Sequence, residues 1–467
     1  MTLAREMAER IVAMRADNLP RAALEWSKVG VMDTLGVTLA GAYEEAPQQV
    51  AEMIGGTGGG DALVLGSDHR ISALDAALVN GVAAHVLDYD NTATNLGGHV
   101  SAVMVPALLA AAEAFDCSGV AVLVAHTAGY ETGSQIGRAI NPAHSEAGWH
   151  PTATVGIFAV AAACARLLGL NAAQTETALA LSTSLAAGNK ANFGTMTKSL
   201  HVGQCARGGL MAALLARKGF TANADAFAHQ QGYFNLFSSA GNCHVDRVLD
   251  SWGAPLDILE PGASYKLYPC CYSTHAAIEA ALNLVREHGP FQAQDIARVD
   301  SWTAPARLAH TDRAQPRTGL EAKFSVQYCV ARALLSGRVV LSDFDAEALS
   351  DQGVQSVVAR VKAAPHLQGQ FPPKHGFAAE VKITLNSGAN FASRVARPLG
   401  RTAANPIPPD LLKAKFADCA GSVLSLQQVS AVASALDQFE SVSSVREFMR
   451  LLEVKKVPQL RSVYKSI

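Results

Sequence analysis

Apolar residues recur at helical spacing through most of the first 260 or so residues. Leu3–Arg15 is amphipathic, and Arg21–Ala40 follows Pro20, a residue type favoured where helices begin. Gly169 can end one helix and Asn171 can cap the next. The same spacing predicts six further helices: Ala73–Leu87, Ala102–Phe115, Gly119–Ile140, Thr152–Leu168, Ala172–Ala187 and Leu200–Lys218.

The pattern changes after about residue 265, where strands alternate with helices. Ile296–Thr303, Glu380–Leu385 and Phe391–Val395 alternate between apolar and polar positions, and residues 386–390 supply hairpin turn chemistry. The chain from Pro409 to Leu452 is helical again. Helices are also predicted between the strands: His275–His288, Glu321–Ser336, Asp343–Leu349 and Asp351–Val361.

These patterns predict a mainly α fold with a smaller α+β lid domain. Residues 1–264 and 399–467 form the predicted all-helical domain, and residues 265–398 form the predicted α+β domain. Apolar residues make up 49% of the chain and charged residues only 17%, below the usual quarter. We therefore expect a large buried helical body, part of which a second subunit could cover.

Charge and composition narrow the classes of function. A net charge of −2 argues against a general electrostatic surface for nucleic acid or anionic membranes. The longest apolar runs end at Glu113 and Arg166, short of the ~18 residues that a membrane span needs. None of the eight cysteines forms a CxxC pair, and buried free cysteine suits a reducing compartment. We expect a soluble cytoplasmic protein without nucleic-acid or membrane partners.

Sequence templates for common cofactors and nucleophiles are missing. The chain has no GxSxG elbow, no dinucleotide fingerprint after a strand and no HExxH helix. No set of three cysteines has the spacing that an iron–sulfur lyase needs. The sequence therefore matches none of these templates for a cofactor, a metal helix or an activated serine.

Titratable residues in apolar surroundings mark two candidate segments in the first half of the chain. Asp88 and Asp90 follow an apolar helix, and two glycines then lead to His99. These acids could equally serve as a helix cap that binds loop amides. His150 precedes Pro151 and so lies just before a helix N-terminus, a location that attracts anions. A plain capping loop is the alternative there.

Three further candidates lie later in the sequence. Lys198 and His201 are three residues apart on one helix face and together could bind a carboxylate, although a solvated face is the alternative. Lys266 and His275 flank a proline-fixed turn at the predicted domain junction, where ligand sites are common but a hinge is also possible. Tyr328 could present a phenol to a pocket, although such a tyrosine more often belongs to the core.

Taken together, the motifs resemble the MmgE/PrpD family. This family includes 2-methylcitrate dehydratase, cis-aconitate decarboxylase and iminodisuccinate epimerase. The resemblance covers roughly residues 75–335 in the family's order. It rests on HVLDYDNT, GGHVSAVMVPALLA, GWHPTATVGIFAVAAA, FGTMTKSLHVGQCARGG, KLYPCCYSTHAAIEAA and AKFSVQYCVARAL.

The resemblance implies an architecture and a set of site residues. It implies a helical domain made from both ends of the chain, an inserted α+β lid, a homodimer and chemistry without a cofactor. Two departures concern the substrate: Asp90 is followed by Asn91 where many relatives have a second acid, and the loop before His99 lacks the His-Pro of decarboxylase-like members. The residues carried over are Asp88, His99, His150, Lys198, Lys266 and Tyr328 as catalytic, with His201 and His275 binding substrate.

The resemblance and the residue types suggest proton abstraction next to a carboxylate of a small polycarboxylic acid. His99 or His150 would exchange the proton, the lysines would hold carboxylates, and Asp88 would orient a neighbouring base. Tyr328 or the other histidine would protonate a leaving hydroxyl. We rank a 2-methylcitrate-dehydratase-like hydro-lyase first, then an epimerase or isomerase of a dicarboxylate such as iminodisuccinate, then a cis-aconitate-type decarboxylase. A non-catalytic polycarboxylate-binding protein is the remaining alternative.

Overall fold

A computed structural model describes residues 1–55, 59–238, 243–372 and 376–455, which fall into two compact units. The first consists mainly of Met1–Tyr265 with the C-terminal helices, and the second mainly of Lys266–Arg401. Most described residues are helical and the strands form small sheets, which confirms the predicted fold class. The domain ranges 1–264 with 399–467 and 265–398 stay predictions, and residues 456–467 lie outside the described part.

The first unit is a helical body with two very short two-stranded sheets. The sheets pair β1 (Ala62–Leu63) with β2 (Arg70–Ile71), and β3 (Thr92–Ala93) with β4 (Ala263–Ser264). The N-terminal helices are α1 Leu3–Ala13, α2 Arg21–Gly41, α3 Glu45–Ile54, α4 Ala73–Val86, α5 Val100–Phe115, α6 Gly119–Ile140, α7 Ala143–Glu146, α8 Pro151–Thr154, α9 Gly156–Leu167, α10 Ala172–Thr183, α11 Thr197–Arg217, α12 Tyr233–Phe237 and α13 Arg247–Asp250.

Small residues bring α4 and α11 close together. A Cβ on Gly81 would lie 2.8 Å from Gly203 Cα, and a Cβ on Gly203 would lie 2.4 Å from the Leu78 carbonyl oxygen. A larger residue at either position would force the helices apart. This close packing matters because the last turn of α4 and the first turns of α11 both carry candidate site residues.

The C-terminal part of the chain returns to the first unit and reaches the candidate site. It forms α20 Pro409–Gly421, α21 Leu426–Asp437 and α22 Val445–Arg450, and α20 packs against α2. The Lys415 ammonium, whose side chain is 3% exposed, lies 2.6 Å from Asp33 Oδ1 and donates to the Tyr89 carbonyl at 2.9 Å. A buried charge is tolerated when it is paired in this way. Lys415 therefore fixes the backbone between Asp88 and Asp90.

The second unit is an α+β structure around a four-stranded sheet. Its strands are β5 Ile296–Thr303, β6 Val361–Pro365, β7 Ala379–Leu385 and β8 Asn390–Val395, in the order β6-β5-β7-β8. The β5–β6 pair is parallel and the other pairs are antiparallel. Its helices are α14 His275–His288, α15 Pro305–Thr311, α16 Gly319–Lys323, α17 Val326–Ser336, α18 Ala346–Leu349 and α19 Gln352–Val358.

Helix predictions in the second unit were wrong in extent at Asp343–Leu349, where a 3-10 turn Leu341–Phe344 precedes α18, and in two further places. The predicted helix Glu321–Ser336 is divided at Ser325, whose hydroxyl accepts from the Tyr328 amide and so caps α17. The predicted helix Asp351–Val361 ends at Val358, and strand β6 begins at Val361. Local side-chain capping and non-local strand pairing overrode the apolar spacing in these two places.

Within the described ranges, none of the helices combines the length and the apolar character that a membrane span requires.

Candidate active site

The side chain of Asp90 lies between two imidazoles in the first unit. Asp90 is fully buried in the loop after α4, and His85 on the last turn of α4 donates from Nδ1 to its two oxygens at 3.0 and 3.1 Å. His99, the N-cap residue of α5, places Nδ1 2.7 Å from Asp90 Oδ2. A carboxylate only accepts, so His85 Nδ1 carries hydrogen, and the 2.7 Å contact favours hydrogen on His99 Nδ1 as well, although that N–H is not aligned with Asp90 Oδ2. His99 Nε2 is therefore the ring nitrogen that can exchange a proton.

Burial and neighbouring charges act in opposite directions on the pKa values of Asp90 and His85. Burial alone would raise the pKa of Asp90, but the charges and hydrogen bonds of His85 and His99 outweigh it and hold that pKa well below its usual range. Burial lowers the pKa of His85 to about 4 even though Asp90 favours the charged form. Asp90 is thus an anion that receives hydrogen bonds, and His85 is uncharged near neutral pH.

Asp88 connects His99 to Lys198. Its backbone has φ of 51°, in the left-handed region that residues with a Cβ rarely occupy. Its Oδ1 lies 2.8 Å from Lys198 Nζ and 3.7 Å from His99 Nε2. Backbone strain of this kind persists only where the surrounding structure imposes it. Here the Lys415 ammonium binds the carbonyl of Tyr89, the residue that follows Asp88. Lys198 and His99 therefore both lie beside the Asp88 carboxylate, and only Lys198 lies within hydrogen-bond distance of it.

His150 and His201 form a second pair of imidazoles. His150 directly precedes α8, with Pro151 at the first helical position, as the sequence predicted. It is 3% exposed, and its Nδ1 lies 3.1 Å from His201 Nδ1. Burial, followed by repulsion from His85, Lys198, His99 and His201, lowers the pKa of His150 to about 2. Burial also lowers the pKa of His201. His150 is therefore a neutral imidazole.

The structure brings five of the eight sequence-selected residues into one cluster of the first unit. The rings of His85 and His99 are 4.4 Å apart, and those of His85 and His150 are 6.3 Å apart. His85 was not singled out from the sequence, and Asp90 was named there only beside Asp88 and given no role, although both lie at the centre of the cluster. A histidine in the last turn of an otherwise apolar helix was the available signal. The five sequence-selected residues in this cluster are Asp88, His99, His150, Lys198 and His201.

The other three selected residues belong to the second unit. Lys266 is buried. His275 is fully buried, with ring centroids 5.1 Å from Tyr268 and 4.5 Å from Tyr272. Tyr328 is also fully buried, in the apolar core, and its hydroxyl donates to the Asp343 carbonyl. Tyr328 therefore occupies the core position that the sequence analysis gave as the alternative to a catalytic role. The catalytic or substrate-binding roles of Lys266, His275 and Tyr328 stay predictions.

Four residues of the cluster could in principle hold a metal ion. Potential ligand atoms of His85, Asp88, Asp90 and His99 lie within 4.8 Å of one another. However, the Lys198 ammonium already contacts Asp88 at 2.8 Å, and the His85 imidazole donates to Asp90. An ammonium group competes directly with a cation for the same carboxylate. The contacts therefore fit proton transfer better than metal binding.

The free energy of unfolding is expected to fall steeply as the pH drops below about 6.5. Burial lowers the pKa of His85 to about 4, of His126 to about 3 and of His150 to about 2. The unfolded chain, with histidine pKa near 6.5, then binds protons that the folded chain excludes. Between pH 7 and 5.5 this costs about 1 kcal/mol for each of the three histidines.

Urea unfolding at these two pH values tests this expectation. His126→Gln should reduce the pH-dependent loss by about a third, whereas His69→Gln should leave it unchanged because His69 is largely exposed. Equal stability of the wild-type protein at pH 7 and 5.5 would show that these histidines are not held neutral.

Comparisons with known proteins match the whole architecture. The model of the MmgE/PrpD N-terminal domain matches residues 5–245, and that of the MmgE/PrpD C-terminal domain matches residues 268–438. A cis-aconitate decarboxylase of Homo sapiens is 26% identical over 99% of this chain and 96% of its own length. A cis-aconitate decarboxylase-like protein of Aspergillus oryzae is 27% identical, covering 96% of each chain. A 2-methylcitrate dehydratase of Cupriavidus necator is 26% identical, covering 87% and 88%.

Proposed function

Since the chain belongs to the MmgE/PrpD family, in which the matched relatives are lyases, we propose that it is a lyase that removes a proton beside a carboxylate of a small polycarboxylic acid. Loss of a β-hydroxyl completes the proposed reaction, as in a 2-methylcitrate-dehydratase-like hydro-lyase. One observation carries the proposal: neutral His150 lies in the same cluster as the His99–Asp90 pair and the Lys198 ammonium.

Lys198 supplies the charge that the first step needs. A proton next to a carboxylate is very weakly acidic, because its removal places extra negative charge on that carboxylate. An ammonium group held by Asp88 at 2.8 Å is positioned before the reaction begins. Lys198 therefore binds the substrate carboxylate and stabilises the electron pair that moves onto it when the carbon–hydrogen bond breaks.

His150 serves as the base in this scheme. Burial and the surrounding positive groups keep its ring uncharged, so a nitrogen lone pair is available. A bound polyanion would offset those positive groups and raise the pKa of His150 towards the working pH, where a base is most effective. In this scheme His150 Nδ1 donates to His201 Nδ1, which leaves the lone pair on Nε2 to accept the carbon-bound proton.

The His99–Asp90 pair serves as the acid. Asp90 stabilises an imidazolium at His99, in the manner that an aspartate orients and supports a catalytic histidine. His99 Nε2 delivers its proton to the β-hydroxyl, the carbon–oxygen bond breaks and water leaves. His85 holds Asp90 from the other side, so the carboxylate does not turn away.

Decarboxylation is the second candidate, and the relatives favour it. Five of the matched proteins are named as cis-aconitate decarboxylases or as decarboxylase-like, and they cover most of this chain. In that reaction a carbon–carbon bond breaks, carbon dioxide leaves, and the remaining electron pair takes a proton from His99. It needs the same cation and the same acid, but no base.

Product analysis distinguishes the two reactions. We would incubate the protein with 2-methylcitrate, citrate and cis-aconitate, with and without a chelator, and measure unsaturated acid by absorbance and carbon dioxide by headspace analysis. Unsaturated product from a hydroxy acid, insensitive to the chelator, is the expected result. If carbon dioxide is released from cis-aconitate and neither hydroxy acid is turned over, the proposed dehydration is wrong and the reaction is decarboxylation. Tight binding of all three acids without turnover would indicate a binding protein.

A further inference from the structure

A continuous chain of buried polar side chains leads away from the candidate site into the first unit. Asn91 Nδ2 lies 3.0 Å from Ser101 Oγ, which lies 3.1 Å from His126 Nε2. His126 Nδ1 lies 3.1 Å from Ser27 Oγ, which lies 2.8 Å from Thr127 Oγ1. All five side chains are buried. In a helical core such a chain remains only if its members satisfy one another.

The hydrogen bonds of this chain can all form in only one direction. The Thr127 hydroxyl donates to the Leu123 carbonyl at 2.9 Å, so Thr127 accepts from Ser27. Ser27 must then accept from His126 Nδ1, which leaves Nε2 to accept from the Ser101 hydroxyl. Ser101 in turn accepts from the Asn91 amide. Reversing the direction would lose the Leu123 bond, so the chain requires hydrogen on His126 Nδ1, and a ring kept neutral by burial then accepts at Nε2.

Helix α2 closes over the middle of the chain. A Cβ on Gly30 would lie 3.1 Å from His126 Nε2 and 3.2 Å from Ser101 Oγ. The backbone of Gly30 thus covers this bond closely, and a side chain there would disturb it. Burial lowers the pKa of His126 to about 3, in agreement with the neutral ring that the hydrogen bonds require.

At the candidate site, this series of hydrogen bonds ends in the bond between Asn91 and Ser101, which joins the two segments that carry Asp90 and His99. Asn91 directly follows Asp90, and Ser101 lies two residues after His99. The Asn91–Ser101 bond therefore spans the same two segments as the 2.7 Å contact between Asp90 Oδ2 and His99 Nδ1. We propose that Asn91 and Ser101 are positioning residues that set the Asp90–His99 contact, with His126 continuing the direction that the Thr127–Leu123 bond gives to the hydrogen bonds. This deepens the proposed function and rests on it for its kinetic consequences.

A matched pair of variants separates positioning from general support of the core. Ser101→Ala and Thr127→Val each remove one buried hydroxyl from the same chain, one beside the site and one at the far end. Ser101→Ala should lower kcat about 10- to 100-fold with KM changed less than threefold, because small displacements of catalytic groups are costly. Thr127→Val should change kcat less than threefold. Equal losses in both variants, or no loss in either, would overturn the proposal.

Asn91→Asp tests the direction of the chain. A carboxylate cannot donate to Ser101, so Ser101 would turn its hydrogen towards residue 91 and His126 would have to donate from Nε2. ¹⁵N NMR of histidine-labelled protein should show the His126 proton on Nδ1 in the wild type and on Nε2 in this variant. His126→Gln, which removes the signal, provides the assignment.

The NMR measurement of the His126 tautomer does not depend on turnover of any substrate. If no acid is turned over by the wild type, the proposed function fails while the ring proton of His126 still decides the direction of the chain. A wild-type His126 that is protonated on Nε2 would overturn the proposal even in a fully active enzyme.

Discussion

Asp90→Asn is expected to lower kcat/KM by about 10³- to 10⁴-fold while the protein stays folded. The buried carboxylate accepts from His85 Nδ1 at 3.0 Å and lies 2.7 Å from His99 Nδ1. An amide carries no charge to stabilise an imidazolium, and its NH₂ group would face ring nitrogens that already carry hydrogen. His99 would lose both its support as an acid and its preferred tautomer.

Kinetics together with thermal unfolding check this expectation. Asp68→Asn is the control, because Asp68 is about half exposed at the surface and lies outside the cluster. If Asp90→Asn kept activity within tenfold of the wild type and remained folded, Asp90 would not support the acid. Loss of folding alone would be seen in the unfolding transition and separated from loss of catalysis.

His150→Gln is expected to give the second large effect, a fall in kcat of about 10²- to 10⁴-fold with little change in KM. The neutral ring is the proposed base, and glutamine can keep a hydrogen bond to His201 but cannot take up a proton at neutral pH. Stopped assays on the preferred acid measure the effect.

His201→Gln is the matched comparison for His150→Gln. His201 is half-buried, contacts His150 at 3.1 Å and is proposed to bind substrate, so its replacement should raise KM more than it lowers kcat. Full turnover by His150→Gln would remove the base from the scheme. Together with carbon dioxide release, it would favour decarboxylation, which needs only the acid.

The elements that depend on local chemistry could be predicted from the sequence. Asn171 caps α10 in a capping box with Gln174, and the strand Ile296–Thr303 has the predicted bounds. Strand β6 was missed because it is short, has no clear alternation and pairs in parallel with β5 about 60 residues earlier in the chain. Non-local pairing leaves little trace in the spacing of apolar residues.

The candidate site was only partly accessible to sequence reasoning. Spacing singled out the segment with two acids, but it could not tell that Asp90 is the buried one and that Asp88 turns to Lys198. That arrangement depends on Lys415, which binds the Tyr89 carbonyl from 326 residues away in sequence. Tertiary contacts of this kind leave no local pattern. The predicted homodimer likewise stays a prediction.

Solvent-hydrogen exchange at carbon tests the central claim, carbon-acid chemistry assisted by Lys198, most directly. The protein would be incubated in heavy water with each acid, and the recovered acid and product would be followed by proton NMR. Lys218→Ala is the control, because Lys218 is exposed at the other end of α11. We expect deuterium next to a carboxylate of the recovered acid, by return of solvent hydrogen after the carbon–hydrogen bond breaks, with the wild type and with Lys218→Ala, and a rate at least about 100-fold lower with Lys198→Ala. Turnover in which the product retains every carbon-bound hydrogen of the acid, or exchange that persists in Lys198→Ala, would contradict the mechanism.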